Sequence, residues 1–291
     1  MLSQFLQFLY SGITVGAAYA LAALGFTIIY NTSGVINFAQ GEFIMLGGML
    51  SVALVATGVP LPLAIVLAVA ATGLVGLLIE KVAIEPAGDA EVVTLIIITI
   101  GASLTIRGLV EIWLGKGTHS LPAFSGDTAI SLLGATLLPQ SLWVLGVTLL
   151  IVMLLGWFFG RSLLGKAMLA TSYNRLAAQL AGINTRWILL CSFGVSAVLG
   201  AIGGILIAPI TYTSYEIGIM LGLKGFVAAV LGGLGGGAGA IAGGLILGVA
   251  EAMTAGYISS AYKDAVAFVL ILLILFFMPR GLFGAKVAER V

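Results

Sequence analysis

Nine apolar runs of roughly 20 residues follow one another along this chain, and they constrain its fold more than any other feature. They fall at about 8–30, 37–58, 61–79, 92–113, 142–160, 187–209, 217–234, 237–256 and 263–279. An α-helix needs about 20 residues to cross a hydrocarbon core of roughly 30 Å. Inside lipid a backbone N–H or C=O finds no water, so each run must satisfy its own hydrogen bonds as a helix. Charged residues make up 8% of the 291 positions, against about 25% in a soluble domain. A water-facing surface cannot be assembled from that. The expected fold is an all-α polytopic membrane protein, with about 8–9 transmembrane helices in one domain over residues 1–291. The seventh run carries Lys224 and reads as either a crossing or a re-entrant segment.

Several functions are excluded. The single cysteine, Cys191, permits neither an internal disulfide nor a cysteine zinc cluster. Walker-type GxxxxGK[ST] spacing is absent, and the fingerprint match at Gly235, Gly237 and Ala240 starts no βαβ unit. A net charge of +1 without a basic block points away from nucleic acid. The amino terminus lacks a basic n-region, so Leu6–Tyr30 reads as a retained span. With no room for a soluble domain, any energy-providing domain must be a separate chain.

Orientation follows from the short loops. Arg161, Lys166, Arg175 and Arg186 fall in a stretch without acidic residues, and Arg280, Lys286 and Arg290 end the chain. Basic loops stay in the cytoplasm. Counting crossings then puts Lys81 inside, with the 114–141 loop and the amino terminus outside. Trp113, Trp143, Trp157 and Trp187 all fall at span ends, where interfacial belts want them. In 231–248, glycines recur at spacings of four, including Gly244–Gly248. Such ridges let membrane helices approach closely. "IIYNTSGVI" (28–36) and "ITYTSYEIG" (210–218) are faintly alike and occur in oppositely directed neighbourhoods, as in inverted-repeat transporters, but a match this weak reads as chance before it reads as a repeat.

The polar residues inside the runs are the candidates for function. In "VINFAQGEFIMLGG" (35–48), Asn37 and Gln40 stand in the capping-box relation. Glu42 would then sit near the positive end of a helix dipole. Helical geometry also puts Asn37, Gln40, Gly41 and Gly48 along one face, with Glu42 well round from it. A polar face poor in side chains suits a wet translocation pathway, and polar groups at membrane depth are costly otherwise. Capping and pathway are compatible readings. Arg107 and Glu111, at i, i+4 toward the outer end of the fourth run, read as a structural ion pair before a substrate site. Lys224 with Glu216, and Glu251, read either as cavity-lining groups or as anchors. Lys263 and Asp264 read as interface charges, and His119 as a solvated loop residue. "MPRGLFG" (278–284) reads as a terminator at Pro279.

The cytoplasmic stretch "TSYNRLAAQLAGINTRW" (171–187) is the most informative. Ser172 reads as an N-cap and Gly182 as a stop. Between them Tyr173, Leu176, Ala177 and Leu180 make an apolar stripe on a short helix. A stripe in a basic loop belongs on lipid or in a partner's groove, and the small Ala177, Ala178 and Ala181 favour the groove.

"LAAQLAG" resembles the EAA…G coupling loop of ABC importer permeases, with Ala177, Ala178 and Gly182 at matching positions. Leu176 replaces the usual acidic residue and the downstream Ile-x-Leu-Pro is missing, which argues against the sugar and phosphate classes. "VINFAQGEF", "AAQLAGIN" and "MPRGLFG" resemble, in order, the LivH-type permeases of branched-chain amino acid importers. That resemblance implies two ATPase subunits gripping Tyr173, Asn174, Arg175, Leu176, Ala177, Ala178, Leu180, Gly182, Ile183 and Asn184. It further implies a second, related permease and a periplasmic binding protein, in a bacterial inner membrane. ATP and Mg would be bound by the ATPases, with no cofactor in this chain. The expected activity is import of branched-chain amino acids by alternating access, with Asn37, Gln40, Gly41 and Glu42 along the route. A urea or short-amide permease of the same family and an ion-gradient-driven secondary transporter are the alternatives. An intramembrane enzyme lacks a convergent acid, base or metal site.

Overall fold

The structure, a computed structural model, describes residues 2–88, 90–126, 128–132 and 134–284. Lys286 and Arg290 of the basic tail lie outside them. Among the described residues, seven helices are long and apolar enough to cross a membrane. These are α1 (Leu2–Ser33), α3 (Leu61–Ile79), α4 (Val92–Leu114), α5 (Pro139–Arg161), α8 (Thr185–Thr211), α10 (Gly237–Tyr257) and α11 (Lys263–Phe277, extended by a turn at Ser260–Tyr262). Helix α3 continues through a π turn at Glu80–Ile84 and a 3-10 turn at Glu85–Ala87. Two apolar helices are shorter: α2 (Gln40–Ala56, 17 residues) and α9 (Ile217–Gly232, 16 residues). At 1.5 Å per residue they reach about 24–26 Å, short of a full hydrocarbon core. The remaining helices are α6 (Leu163–Tyr173) and α7 (Arg175–Leu180). An antiparallel hairpin of β1 (Ile130–Leu132) and β2 (Ala135–Leu137) lies between α4 and α5.

Helix α1 is the axis of the bundle, buried almost continuously from Gly12 to Ile29. It packs on α8, α9 and α10, while α4, α5 and α11 carry apolar side chains outward. The closest approach is between α1 and α10. A Cβ on Gly12 would sit 2.7 Å from Val249 Cα, and one on Gly16 would sit 2.9 Å from Leu245 Cα. The glycine pair Gly244–Gly248 faces them. Lipid offers no hydrophobic drive between helices, so this close van der Waals fit is what joins them. Gly16→Val should cost about 1–3 kcal/mol by overpacking, read as a lower melting temperature of the purified protein. An unchanged melt would show that the contact contributes nothing.

The loops sort to two ends. At one, Gln7 bonds Thr136, Phe8 packs on Tyr257, and His119 pairs with Thr213. At the other, Asn31 bonds the Gly235 carbonyl and Ser33, Glu80, Arg175 and Arg186 share a cavity. Trp113 and Trp143 mark the first end, Trp157 and Trp187 the second, all exposed. This is the sorting the basic loops and tryptophans predict.

The carboxyl-terminal stretch does more than terminate a helix. After α11 it folds back: the Leu282 N–H donates to the Leu231 carbonyl at 2.9 Å and the Phe283 N–H to that of Gly232 at 3.1 Å. Two last-turn carbonyls of α9 are thereby satisfied.

Candidate functional site

The short helix α7 is built from both sides by local capping. Helix α6 breaks at Asn174, whose Oδ1 accepts the Ala177 N–H at 2.9 Å. The cap is therefore Asn174 and not Ser172, whose hydroxyl donates back to the Leu169 carbonyl. Asn174 is extended at φ −158, ψ 104, so Tyr173 belongs to α6. At the other end Gly182 takes φ +86, its N–H donates to Gln179, and the Ile183 N–H donates to Ala178. This 6→1, 5→2 pair is the Schellman closure that glycine permits. Asn184 then caps α8 through the Trp187 N–H. The stripe points away from the protein, with Tyr173 88%, Leu176 66% and Leu180 83% exposed. Ala177 is also exposed, but Ala178 is buried. Ala178 therefore seats α7 on the bundle instead of lining the free face. Arg175, Asn184 and Ile183 border a cavity of about 360 Å³ shared with Glu80, Glu85 and Arg186.

A second site lies in the bundle, where the two short helices cross. Helix α2 starts at Gln40, with Ala39 at the cap position and no side-chain cap bond. The expected capping box does not form. Asn37 Oδ1 instead accepts the Ala39 N–H at 3.0 Å, and the Gln40 amide binds the hydroxyl and carbonyl of Ser196 on α8. Gly41 is pressed against Gly218 and Gly222 at the start of α9, and Gly48 against Thr213. The face expected to be wet is packed against protein.

Glu42, placed off that face, is the residue that reaches a cavity. It is 1% exposed, and its Oε1 accepts from Arg107 Nη2 at 2.7 Å and from the Ser103 hydroxyl at 2.8 Å. Arg107 also donates to Ser103 at 3.2 Å. The expected Arg107–Glu111 pair is absent. Glu111 binds Lys116 at 2.9 Å in the loop beyond α4, which leaves Arg107 to the deeper carboxylate. Glu42 Oε2 and Arg107 Nε are buried without partners. Both residues line a cavity of about 160 Å³, walled by Phe26, Phe38 and Phe226. Ser103, one turn before Arg107 on α4, is a functional candidate that sequence reasoning missed. Its i, i+4 spacing from Arg107 was the available signal.

A third cluster ties helices together. Lys224 Nζ lies 2.6 Å from Asp264 Oδ1, 3.0 Å from Glu251 Oε1 and 3.2 Å from the Tyr19 hydroxyl. That hydroxyl donates to Glu251 Oε2 at 2.8 Å. Lys224 therefore pairs with Glu251 and Asp264, not with Glu216, which accepts from Tyr215. Asp264 is no ordinary interface charge but joins α11 to α1, α9 and α10.

Nearly the whole chain, residues 8–275, matches the family described as branched-chain amino acid transport system, permease component. The chain belongs to that family. It is 35% identical to the high-affinity branched-chain amino acid transport system permease protein LivH of Escherichia coli strain K12, over 99% of this chain and 98% of that one. It is equally 35% identical to BraD of Pseudomonas aeruginosa, with the same coverage. Its fold matches PsaBC from Streptococcus pneumoniae in complex with Fab, at a TM-score of 0.56 and 14% identity over 96% of this chain and 97% of that one. A branched-chain amino acid permease of this family is a multi-pass membrane subunit without an ATPase domain, homologous to bacterial inner-membrane permeases. It carries no cofactor of its own and works in an ABC transporter complex in which partner ATPases bind the ATP.

Proposed function

We propose that this chain is the pore-forming subunit of an importer for branched-chain or other hydrophobic amino acids, working by alternating access. The single observation that supports this best is α7. Two large apolar side chains, Leu176 and Leu180, stand exposed on this capped turn at the basic end of the bundle, with Tyr173 exposed just before it at the end of α6. An exposed stripe of this kind is suited to a hydrophobic groove on a partner. On this reading the basic end faces the cytoplasm, and Tyr173, Asn174, Arg175, Leu176, Ala177, Ala178, Leu180, Gly182, Ile183 and Asn184 form the segment engaged by two ATPase subunits. Residues 1–291 act as one permease domain beside a second, related permease, and a periplasmic binding protein delivers the amino acid at the opposite end. The names of the LivH and BraD relatives support the substrate class. Along the route Glu42 lines the passage, while Asn37, Gln40 and Gly41 hold α2 in place.

The test is reconstitution with the ATPases, sister permease and binding protein of the same system, followed by competition among leucine, isoleucine, valine, acetamide and urea. Leucine uptake that needs ATP and stops with vanadate is expected. Urea uptake without leucine uptake would move the chain to the amide branch of the family. Uptake abolished by uncouplers and indifferent to vanadate would make it a secondary transporter.

A further inference from the structure

The Glu42–Ser103–Arg107 cluster has the composition of a binding site for a zwitterion. Its three side chains share one carboxylate oxygen, Glu42 Oε1, as the common acceptor. That arrangement leaves one acceptor, Glu42 Oε2, and one donor, Arg107 Nε, unused and buried. Buried polar atoms without partners are costly, and ionisable residues at membrane depth mark transport pathways by default. The cavity they line, about 160 Å³, is well above the roughly 10–15 Å³ that one water needs by the same measure. Its remaining wall is apolar and aromatic. The Phe226 ring lies 5.9 Å from that of Phe26 and 6.2 Å from that of Phe38.

The backbone around it fits the same purpose. The two short helices α2 and α9 begin here, and their first turns meet through Gly41, Gly218 and Gly222. Transporters hold anionic substrate groups at the starts of such short, interrupted helices, whose positive dipole ends favour a carboxylate. A Cβ on Gly218 would sit 2.9 Å from Glu42 Oε2, so only a residue without a side chain fits beside that oxygen. On α4, Ile100 and Leu104 border the cavity and are 41% and 59% exposed, which gives it an open side.

We propose that this cluster holds the amino acid in transit. Arg107 takes the α-carboxylate, Glu42 takes the α-ammonium, and the three phenylalanines take the hydrocarbon side chain. The Glu42–Arg107 pair is the resting form of the site, opened when the zwitterion's two charges replace the two partners. A few convergent polar groups on an aromatic wall are what a small-molecule pocket requires. Urea has neither charge and would leave the pair closed. The proposal rests on the importer reading and adds to it a reason for selecting α-amino acids.

The test uses the complete importer in proteoliposomes with radiolabelled leucine as the probe. Glu42→Gln with Arg107→Gln removes both charges together, so that neither is left buried alone. Chain level should stay within about twofold of the unmodified importer, which reads folding. Leucine uptake should fall at least tenfold. Arg107→Lys keeps the charge but loses the guanidinium fork and should fall between. Uptake within twofold of the unmodified importer in the double variant would overturn the proposal and make the pair structural. If the double variant fails to accumulate, Leu104→Trp fills the cavity from α4 without touching the pair. Blocked uptake at normal chain level then supports the site, and unchanged uptake overturns it. An unmodified importer that carries urea and not leucine defeats the amino-acid reading, and the site with it.

Discussion

Replacing Leu176 and Leu180 together with Asp should lower ATP-driven leucine uptake by at least tenfold while the chain inserts and folds normally. In the isolated chain these two side chains are 66% and 83% exposed. Surface exchanges of that kind change stability by no more than about 0.5 kcal/mol, and the two caps of α7, at Asn174 and Gly182, are untouched. In a complex the same side chains would be the anchors. Truncating a buried interface anchor costs 2 kcal/mol or more, and each 1.4 kcal/mol is about tenfold in affinity. Two carboxylates placed in an apolar groove add a desolvation cost. Ala178 gives the contrast. It is 4% exposed, so Ala178→Arg should unseat α7 and lower chain level as well as uptake. Uptake unchanged in the double Asp variant, with a normal chain level, would remove α7 from the coupling route.

Lys224→Met should have the largest effect on stability. The ammonium bridges Tyr19, Glu251 and Asp264, and its side chain is 9% exposed. Removing it leaves the Glu251 carboxylate, 7% exposed, beside the half-exposed Asp264 without compensation. Breaking a buried ion pair from one side costs about 3–5 kcal/mol, whereas replacing the whole group with neutral residues is often tolerated. The Lys224→Met protein should therefore accumulate poorly and melt early. Adding Glu251→Gln and Asp264→Asn should restore most of the loss, since no lone charge then remains. Thermal denaturation of the detergent-purified proteins checks both. If the single exchange melts like the unmodified protein, the cluster does not hold α1, α9, α10 and α11 together.

The helices were legible in the sequence because lipid forces each apolar run to close its own backbone bonds. Basic loops and tryptophans sorted the ends for the same reason: charge and indole both seek the interface. The exposed Leu176 and Leu180 of α7 were legible from spacing, and Gly182 from the need for a left-handed residue at a helix stop, but the break at Asn174 that puts Tyr173 in α6 was not. Pairing across the bundle was not. Arg107 has Glu111 four residues away, and only the fold reveals that Glu111 is taken by Lys116 while Glu42 waits on α2. Gln40 looked like a cap because it follows Asn37 by three. Its amide instead fills the space left by Gly25 and binds Ser196, a contact between residues 156 positions apart. Asn37 lies before α2 and not on the face reckoned for it, and a face rich in glycine suits close helix packing as well as it suits water. Local rules cannot decide between those uses.

The most direct measurement is chemical cross-linking from Leu180→Cys, in a chain whose one natural cysteine, Cys191, is replaced by Ser. In membranes holding the assembled transporter, the Cys at 180 should cross-link to an ATPase subunit and resist a membrane-impermeant maleimide added from the periplasm, while a Trp143→Cys control at the opposite end does the reverse. Labelling of position 180 from the periplasm, or its failure to reach any ATPase, would contradict the role given to α7.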